Sequence, residues 1–263
     1  MNSQKSQPPR IIVHADDLGM NVGVNAAIER ALDEGMVTSV SIMANGAAFA
    51  DGIRVLRGRV GVSVGVHLNA TQFAPLTRGA NMRVFCDEAG FFRLPPKRWL
   101  TSAERRALAD EWCAQVCMVR EQGVKVSHFD SHHHVHTLPM LFPVLKCVQA
   151  RCGVQIVRNT ANMPVPRTSG LRVLPKRLAK TIWCGALKLA RPHTVCTDLF
   201  GSVTDFVAAS SACGPGWAAS RTVEVMCHPG HPGDEYQQEM RVLKSGMLSV
   251  TGVNGIPITY WDL

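Results

Sequence analysis

The chain is an alternation of short apolar runs with amphipathic stretches of helical period, and that pattern limits its fold more than any other feature. Ile11–Ala15 reads as a first strand. Asn21–Glu34 follows as a helix with Val24, Ile28, Ala31 and Leu32 at helical spacing, and Gly35 ends it. Val37–Met43 and Val62–Leu68 read as strands around a short helix, Ala47–Leu56. Ala70–Leu100, rich in Gly, Pro and Arg, reads as an excursion over one face. Thr101 and Glu104 form the S/T-x-x-E signature that opens a helix to about Gln122. Beyond it come strand Val124–Phe129, helix Leu138–Cys152, strand Val154–Arg158 and a loop over Asn159–Ser169. A basic amphipathic segment, Leu171–Ala190, is interrupted by Pro175. His193–Asp198, Thr222–Cys227 and Ile256–Tyr260 read as the last strands, with helices at Val203–Ser211 and Glu235–Val250. Strands alternating with helices imply βαβ units and a mostly parallel sheet. About seven such units in 263 residues fit a barrel-like (β/α) fold better than a short open sheet. No repeat or linker divides the chain, so one domain over residues 1–263 is expected, with residues 1–9 as a flexible N-terminus.

Charge and cysteine content narrow the setting. The polar start MNSQKSQPPR lacks the apolar core of a secretory signal, and no apolar run is long enough to span a bilayer, so the expected compartment is the cytoplasm. Nine cysteines without a CxxC pair argue against a disulfide scaffold or zinc ribbon and read as reduced thiols used as small hydrophobes. The net charge of +8 is unevenly placed: from Ser131 to Thr197 there is no Asp or Glu, while ten Lys and Arg occur. Such a field suits an anionic partner, including an anionic or lipid-linked glycan, or simply a solvated basic face. Two tyrosines in the whole chain are too few for a stacking platform, so no specific nucleic acid is expected. The apolar side of Leu171–Ala190 is read first as core, then as a homodimer surface, then as a membrane-facing patch.

In parallel α/β folds the working residues stand at the carboxyl ends of strands, and the polar residues gather there. The segments are His14-Ala15-Asp16-Asp17, Gly65-Val66-His67-Leu68-Asn69, His128 through His136, and Met226 through His231. Nine of the ten histidines fall in these four segments, five of them between His128 and His136, which favours a metal centre over scattered structural histidines. Imidazole and carboxylate together suit zinc, iron, cobalt or nickel and tolerate manganese or magnesium. Three protein ligands would leave positions open for water and substrate. Of Asp16 and Asp17, one can ligate while the other takes a proton from water, and a His from another strand can protonate a leaving amine. His132 and His136, four apart, would share a face if a helical turn starts there, leaving His133 and His134 to pack elsewhere.

These residues resemble a known family. HADDLG after the first strand, GVHLN after the third, HFDSHHHVH after the fourth and the late MCHPG are similar to the YdjC-like carbohydrate deacetylases, which include chitooligosaccharide deacetylases. The resemblance covers about residues 10–140 and 222–263, with 159–220 matching only loosely. It implies a distorted (β/α) barrel related to the polysaccharide deacetylases, and metal-dependent hydrolysis of an N-acetyl group on an amino sugar, releasing acetate. By that resemblance Asp17, His67 and His132 hold one divalent ion, magnesium or zinc before manganese, cobalt or nickel. Asp16 is the general base, and His228 the proton donor or transition-state stabiliser. His128, Asp130 and His136 stand behind the site or touch substrate, and Arg158 orients Asp16 or binds substrate. Where the family often has an aromatic after the double Asp, this chain has Leu18, which alters a pocket wall rather than the chemistry. Two other readings use the same residues: a metal phosphoesterase on a barrel, and a non-catalytic protein recruited to an acidic partner.

Overall fold

The computed structural model describes residues 7–93, 95–96, 98–165 and 174–263. Eight strands, β1 (Arg10–Leu18), β2 (Ser39–Ile42), β3 (Ser63–Leu68), β4 (Val126–Ser131), β5 (Ile156–Val157), β6 (Leu199–Ser202), β7 (Thr222–Cys227) and β8 (Ile256–Pro257), form one parallel sheet. Its order is β5-β4-β3-β2-β1-β7-β6, with β8 on β1 outside that path. The two ends approach through isolated bridges, Ile156 to Val195 and Asn162 to Phe200, rather than through a full ladder. The result is the expected (β/α) barrel, distorted at the β5–β6 seam.

The helices α1 (Val22–Asp33), α2 (Phe49–Leu56), α3 (Ser102–Glu121), α4 (Phe142–Cys152), α5 (Leu174–Leu189), α6 (Val203–Cys213), α7 (Asp234–Lys244) and α8 (Met247–Thr251) complete the βα units. Asn21 caps α1 by accepting the Val24 N–H, and Thr101 and Glu104 form the predicted reciprocal cap of α3. Ser202 and Asp205 form a second such cap, on α6. Buried Glu111 of α3 accepts the Leu76 and Thr77 N–H groups and so pins the excursion after β3.

Several boundaries differ from the sequence reading. The fifth strand is only Ile156–Val157, and His193–Asp198 is not a strand: β6 begins at Leu199. There the Asp198 carboxylate accepts the Thr222 N–H and hydroxyl, while the Asp198 N–H donates to the Thr222 carbonyl. The last helix is broken in two at Gly246, whose φ of 75° is left-handed, and Ile256–Tyr260 supplies two strand residues before a 3₁₀ turn at Tyr260–Asp262. Pro175 does not interrupt α5; it stands in the first turn, where a missing N–H is harmless. Residues 166–173, which include parts of the expected loop and basic segment, lie outside the described residues, as do residues 1–6 of the expected flexible N-terminus. Gln7 is tied to Ser220, whose N–H it accepts.

The period of two along each strand divides the barrel into two environments. Ile11, Val13 and Ala15, with Val40, Ile42, Val66, Leu68, Phe129, Val223 and Val225, turn outward into the apolar layer under the helices. The alternate residues turn inward and are mostly polar: His14 and Asp16, Ser39 and Ser41, His67, His128 and Asp130, and Glu224, all fully or almost fully buried. Tyr260 closes the lower end, stacked on His128 at 3.7 Å between ring centroids. Gly65 makes room for this arrangement, because a Cβ there would stand 2.4 Å from His128 Nε2.

Candidate active site

The site forms where β1, β3 and β4 end. Asp16 keeps strand geometry and points into the barrel, whereas Asp17 takes φ 70°, a left-handed conformation that Asp tolerates better than most side chains. Consecutive carboxylates thereby part: Asp16 meets Arg158, and Asp17 meets three imidazoles. The turn is held by Asn25, whose Oδ1 accepts the Gly19 N–H and whose amide donates to Ala48 O and Asp51.

Asp17 Oδ1 lies 3.1 Å from His67 Nε2 and 2.8 Å from His132 Nδ1. Each imidazole is oriented from behind. His67 Nδ1 lies 2.9 Å from Asp130 Oδ1, and His132 Nε2 lies 2.9 Å from Gln72 Oε1. Donors held at 2.0–2.2 Å by one divalent cation stand about 3.0–3.4 Å apart, close to the separations seen. Asp17, His67 and His132 could therefore hold a metal ion, with outer partners of the kind that fix imidazole ligands. A further sign is His231, whose Nε2 lies 3.1 Å from Asp17 Oδ2 yet has no directed hydrogen bond although buried. Two other His/Asp groups, His14–His128–Asp130 and Asp16–His67–Asp130, share residues with this network. Their carboxylates already face the Arg158 guanidinium, and of the three groups only Asp17–His67–His132 has every member on the cleft.

Arg158, fully buried, is gripped by three carboxylates. Its two terminal nitrogens meet Asp16 at 2.6 and 2.8 Å, one of them also lies 3.0 Å from Asp130 Oδ2, and Nε donates to Glu224 at 2.7 Å. Burial works against the Asp16 charge, but Arg158 outweighs it and holds that carboxyl down at about 2. Asp17 is likewise held well below the usual carboxylate range, burial being overcome by His132, His231 and His67. His67 is lifted well above its ordinary value because Asp130 and Asp17 more than offset burial.

His228 stands on the far wall, with Nε2 3.9 Å from Asp16 Oδ2. Glu239 of α7 lies 3.7 Å from its Nδ1 and accepts its backbone N–H at 3.1 Å. Burial disfavours the His228 cation, but Glu239 and the two aspartates prevail and raise its pKa. His134, by contrast, is pushed down to about 4 by burial and by Arg158, and stays neutral.

These groups line a cleft of about 530 Å³ with Met20, Thr71, Gln72, His133, His134 and Tyr236, within the size range of small-ligand sites. Of the residues singled out from sequence, Asp16, Asp17, His67, His132 and His228 line it. Asp130 and Arg158 sit directly behind it. His128 and His136 are farther back: His128 is bonded to Ser127, and His136 Nδ1 to Ser131 at 2.6 Å. His132 and His136 do not share a helical face, because His133 and His134 both take left-handed backbone (φ 53° and 52°) and turn the chain between them. Sequence reasoning gave no role to His231, Gln72, Tyr236, Glu224 or Glu239. Glu224 carried a signal, being the one charged residue in the apolar run TVEVMC. Glu239 carried none that separates it from Asp234 and Glu235.

Comparison with known proteins gives a consistent result. The model of the YdjC-like protein family matches residues 10–250. A carbohydrate deacetylase of Geobacillus stearothermophilus is 33% identical over 235 residues, 85% of this chain and 80% of that protein. A chitooligosaccharide deacetylase of Escherichia fergusonii is 30% identical over 232 residues, 83% of this chain and 81% of that one. Among solved structures, an Enterococcus faecalis V583 protein provisionally described as a cellobiose-phosphate cleavage protein superposes with a TM-score of 0.71 at 19% identity, covering 97% of this chain and 99% of its own. That last likeness bears on the fold.

Proposed function

Because the chain belongs to the YdjC-like protein family, we propose that it is a metal-dependent carbohydrate deacetylase that removes the N-acetyl group of an amino sugar, free or in a glycoconjugate, and releases acetate. The observation that carries this reading is the division of labour between adjacent aspartates: Asp17 joins His67 and His132, while Asp16 is held apart by Arg158 and faces His228. Asp17, His67 and His132 are the residues to hold one divalent ion, zinc or magnesium. Bound there, such an ion supplies Lewis acidity and lowers the pKa of a water. Asp16, ionised throughout the neutral range, accepts a proton from the attacking water at a carboxylate oxygen. The Arg158 clamp fixes that carboxylate's orientation and leaves lone pairs free toward the cleft. His228, protonated more readily than an ordinary histidine, delivers a proton from Nε2 to the departing amine. Glu239 steadies the imidazole from behind. His133 and neutral His134 narrow the cleft and help to exclude bulk water.

A two-metal phosphoesterase would need further free carboxylates, but Asp130, Asp16 and Glu224 are already spent on Arg158. The unpaired state of all nine cysteines supports a reducing, cytoplasmic setting. No helix among the described residues is long and apolar enough to cross a membrane.

The test is acetate release from a panel of N-acetylated sugars by metal-stripped protein, with zinc, magnesium, manganese, cobalt and nickel restored singly. Metal-dependent release that disappears in His132→Ala is the expected result. Hydrolysis of phosphoesters without acetate release would overturn the reading.

A further inference from the structure

Helix α5 carries two apolar faces. One is ordinary core: Trp183 and Leu187 are buried, and Trp183 packs edge-on against Phe142. The other points away from the protein. Leu178 is 60% exposed, Ile182 63% and Leu189 81%. At 3.6 residues per turn these three side chains fall within about 40° of one another, a single stripe with Gly185 in its middle. Among the described residues no other helix exposes more than one large apolar side chain: Val22 begins α1 and Val250 lies in α8.

Along the sequence, the charge of this segment has one sign. From Arg167 to Arg191 the sequence has seven Lys and Arg and not one Asp or Glu. Lys188 and Arg191 are in no ion pair with a described residue, and the sequence places no carboxylate on this segment to pair them, whereas Arg54 meets Glu29 and Asp51, Arg98 meets Glu104 and Arg151 meets Asp110. A stripe of large apolar side chains beside unopposed cations, on a helix too short to span, is the signature of a helix that lies in a bilayer interface. A second copy of this chain fits less well. Three side chains fall far short of the ~800 Å² per partner of a stable dimer, and facing copies would oppose their own cations.

The helix is also tied to the catalytic rim. Lys180 Nζ donates to Asn162 at 2.6 Å, and Cys184 Sγ to Asn159 at 2.8 Å, one residue beyond Arg158. We propose that the outer face of α5 docks on an anionic lipid surface and thereby brings the cleft to amino sugars anchored in the membrane. The docking rests on α5 alone; the choice of a lipid-anchored substrate rests on the deacetylase reading above.

The test separates the two. Full-length protein is sedimented with vesicles of phosphatidylglycerol mixed with phosphatidylcholine, and with phosphatidylcholine alone, at low and high salt. The wild type should bind the anionic vesicles, weaken with salt and ignore the neutral ones. A variant with Leu178→Glu, Ile182→Glu and Leu189→Glu, all at exposed positions, should lose binding by at least about tenfold, and Lys188→Glu should lose part of it. The Asp16→Asn protein should bind like wild type, which keeps the docking test independent of catalysis. Hydrolysis of a soluble N-acetyl sugar should be unchanged in the triple variant, while hydrolysis of an N-acetylated glycolipid in anionic vesicles should fall with binding. Absence of vesicle binding, equal binding by the triple variant, or a concentration-dependent dimer abolished by the same substitutions would overturn the docking proposal. Vesicle binding with soluble and vesicle-borne sugars hydrolysed equally would overturn the substrate assignment alone. Binding with no deacetylation of any sugar would overturn the functional reading and leave the docking standing.

Discussion

The most informative perturbation is Asp16→Asn, because it removes one charge and changes no volume. Asp16 receives two Arg158 contacts, at 2.6 and 2.8 Å, and is 2% exposed. An asparagine in the same place keeps one acceptor but turns an NH₂ group toward a guanidinium N–H. One charge-assisted bond is lost and two donors are left facing each other. Losing a charged partner from a wholly buried pair costs about 3–5 kcal/mol. Here Arg158 retains Asp130 and Glu224, so the loss should be nearer the strength of one charged hydrogen bond, about 2 kcal/mol. For a chain of this length that lowers the melting temperature by about 4–8 °C, and the protein stays folded. Asp17, His67 and His132 are untouched, so metal affinity by calorimetry should change little. Turnover should fall by about 10²–10⁴-fold, the usual contribution of a positioned base. Asp17→Asn should do the reverse, losing the metal first. A folded Asp16→Asn protein with near-normal kcat would refute the base assignment. Loss of metal binding in Asp16→Asn would refute the separation of roles between the adjacent aspartates.

Three further outcomes follow from the geometry. Gly65→Ala puts a methyl 2.4 Å from a His128 ring that is fully buried and stacked on Tyr260; it should cost about 1–3 kcal/mol, read as a lower urea midpoint, and a variant as stable as wild type would show that the ring can move aside. Glu239→Gln removes a carboxylate that raises the His228 pKa, so the alkaline limb of the kcat/KM profile should move to lower pH by about one unit, with metal affinity unchanged; an unmoved limb would exclude His228 as the acid. Burial pushes His136 down to about 3 and His128 well below its ordinary value. Both rings bind protons more readily in the unfolded chain, so the stability present above about pH 6.5 is lost as the pH falls toward about 3, by about 1.4 kcal/mol per unit for each ring. His134, also pushed down to about 4, adds to the same slope, so melting curves between pH 7.5 and 5 should be shallower in His136→Asn by one ring's share.

Much of this was legible in the sequence because parallel strands put their chemistry at their carboxyl ends. His67 and the HADDLG aspartates stand out as strand-end residues in apolar runs, and the Thr101–Glu104 cap of α3 announces itself within four positions. What was not legible depends on distance along the chain. Arg158 stands in an acid-free basic stretch, and its link to Asp16, 142 residues away, follows from the family resemblance alone; its other partner Glu224, 66 residues away, has no such pointer. Lys146, from the same stretch, is buried and donates to the Leu187 carbonyl in the last turn of α5 and to the Ala190 and Pro192 carbonyls beyond it. Two of the ten cations thus serve the interior, which a count of charges does not reveal. Strand β5 escaped a correct boundary because only two residues are paired in it, too few to set a period. The turn after His132 was misjudged because left-handed histidines at two successive positions have no sequence signature.

The inward residues explain why site and fold are coupled. A hydrogen-bonded column climbs the barrel: the Tyr260 N–H donates to Ser63 Oγ, Ser63 to Ser39 Oγ, and Ser39 meets His14 Nδ1 at 2.8 Å. His14 Nε2 lies 3.1 Å from Ser41 Oγ, which in turn donates to Asp130 Oδ2 and contacts His67 Nδ1. The apolar layer that supplies most of the burial lies outside the sheet, between strands and helices, so the interior is free to be polar. That freedom has a condition. Buried polar groups are tolerable only when partnered, so each link of the column constrains the next, and the last constrains the imidazole that faces Asp17. Ser41→Ala should therefore do more than remove a hydroxyl. It leaves Asp130 Oδ2 and His67 Nδ1 with one partner fewer in a dry environment, costing about 1–3 kcal/mol, and it loosens His67 without removing any of the three proposed ligands. Weaker metal binding in Ser41→Ala, with Asp17, His67 and His132 intact, would show that the column sets the ligand geometry. Unchanged affinity with lowered stability would show that the triad is fixed by the strand ends alone and that the column serves only the fold.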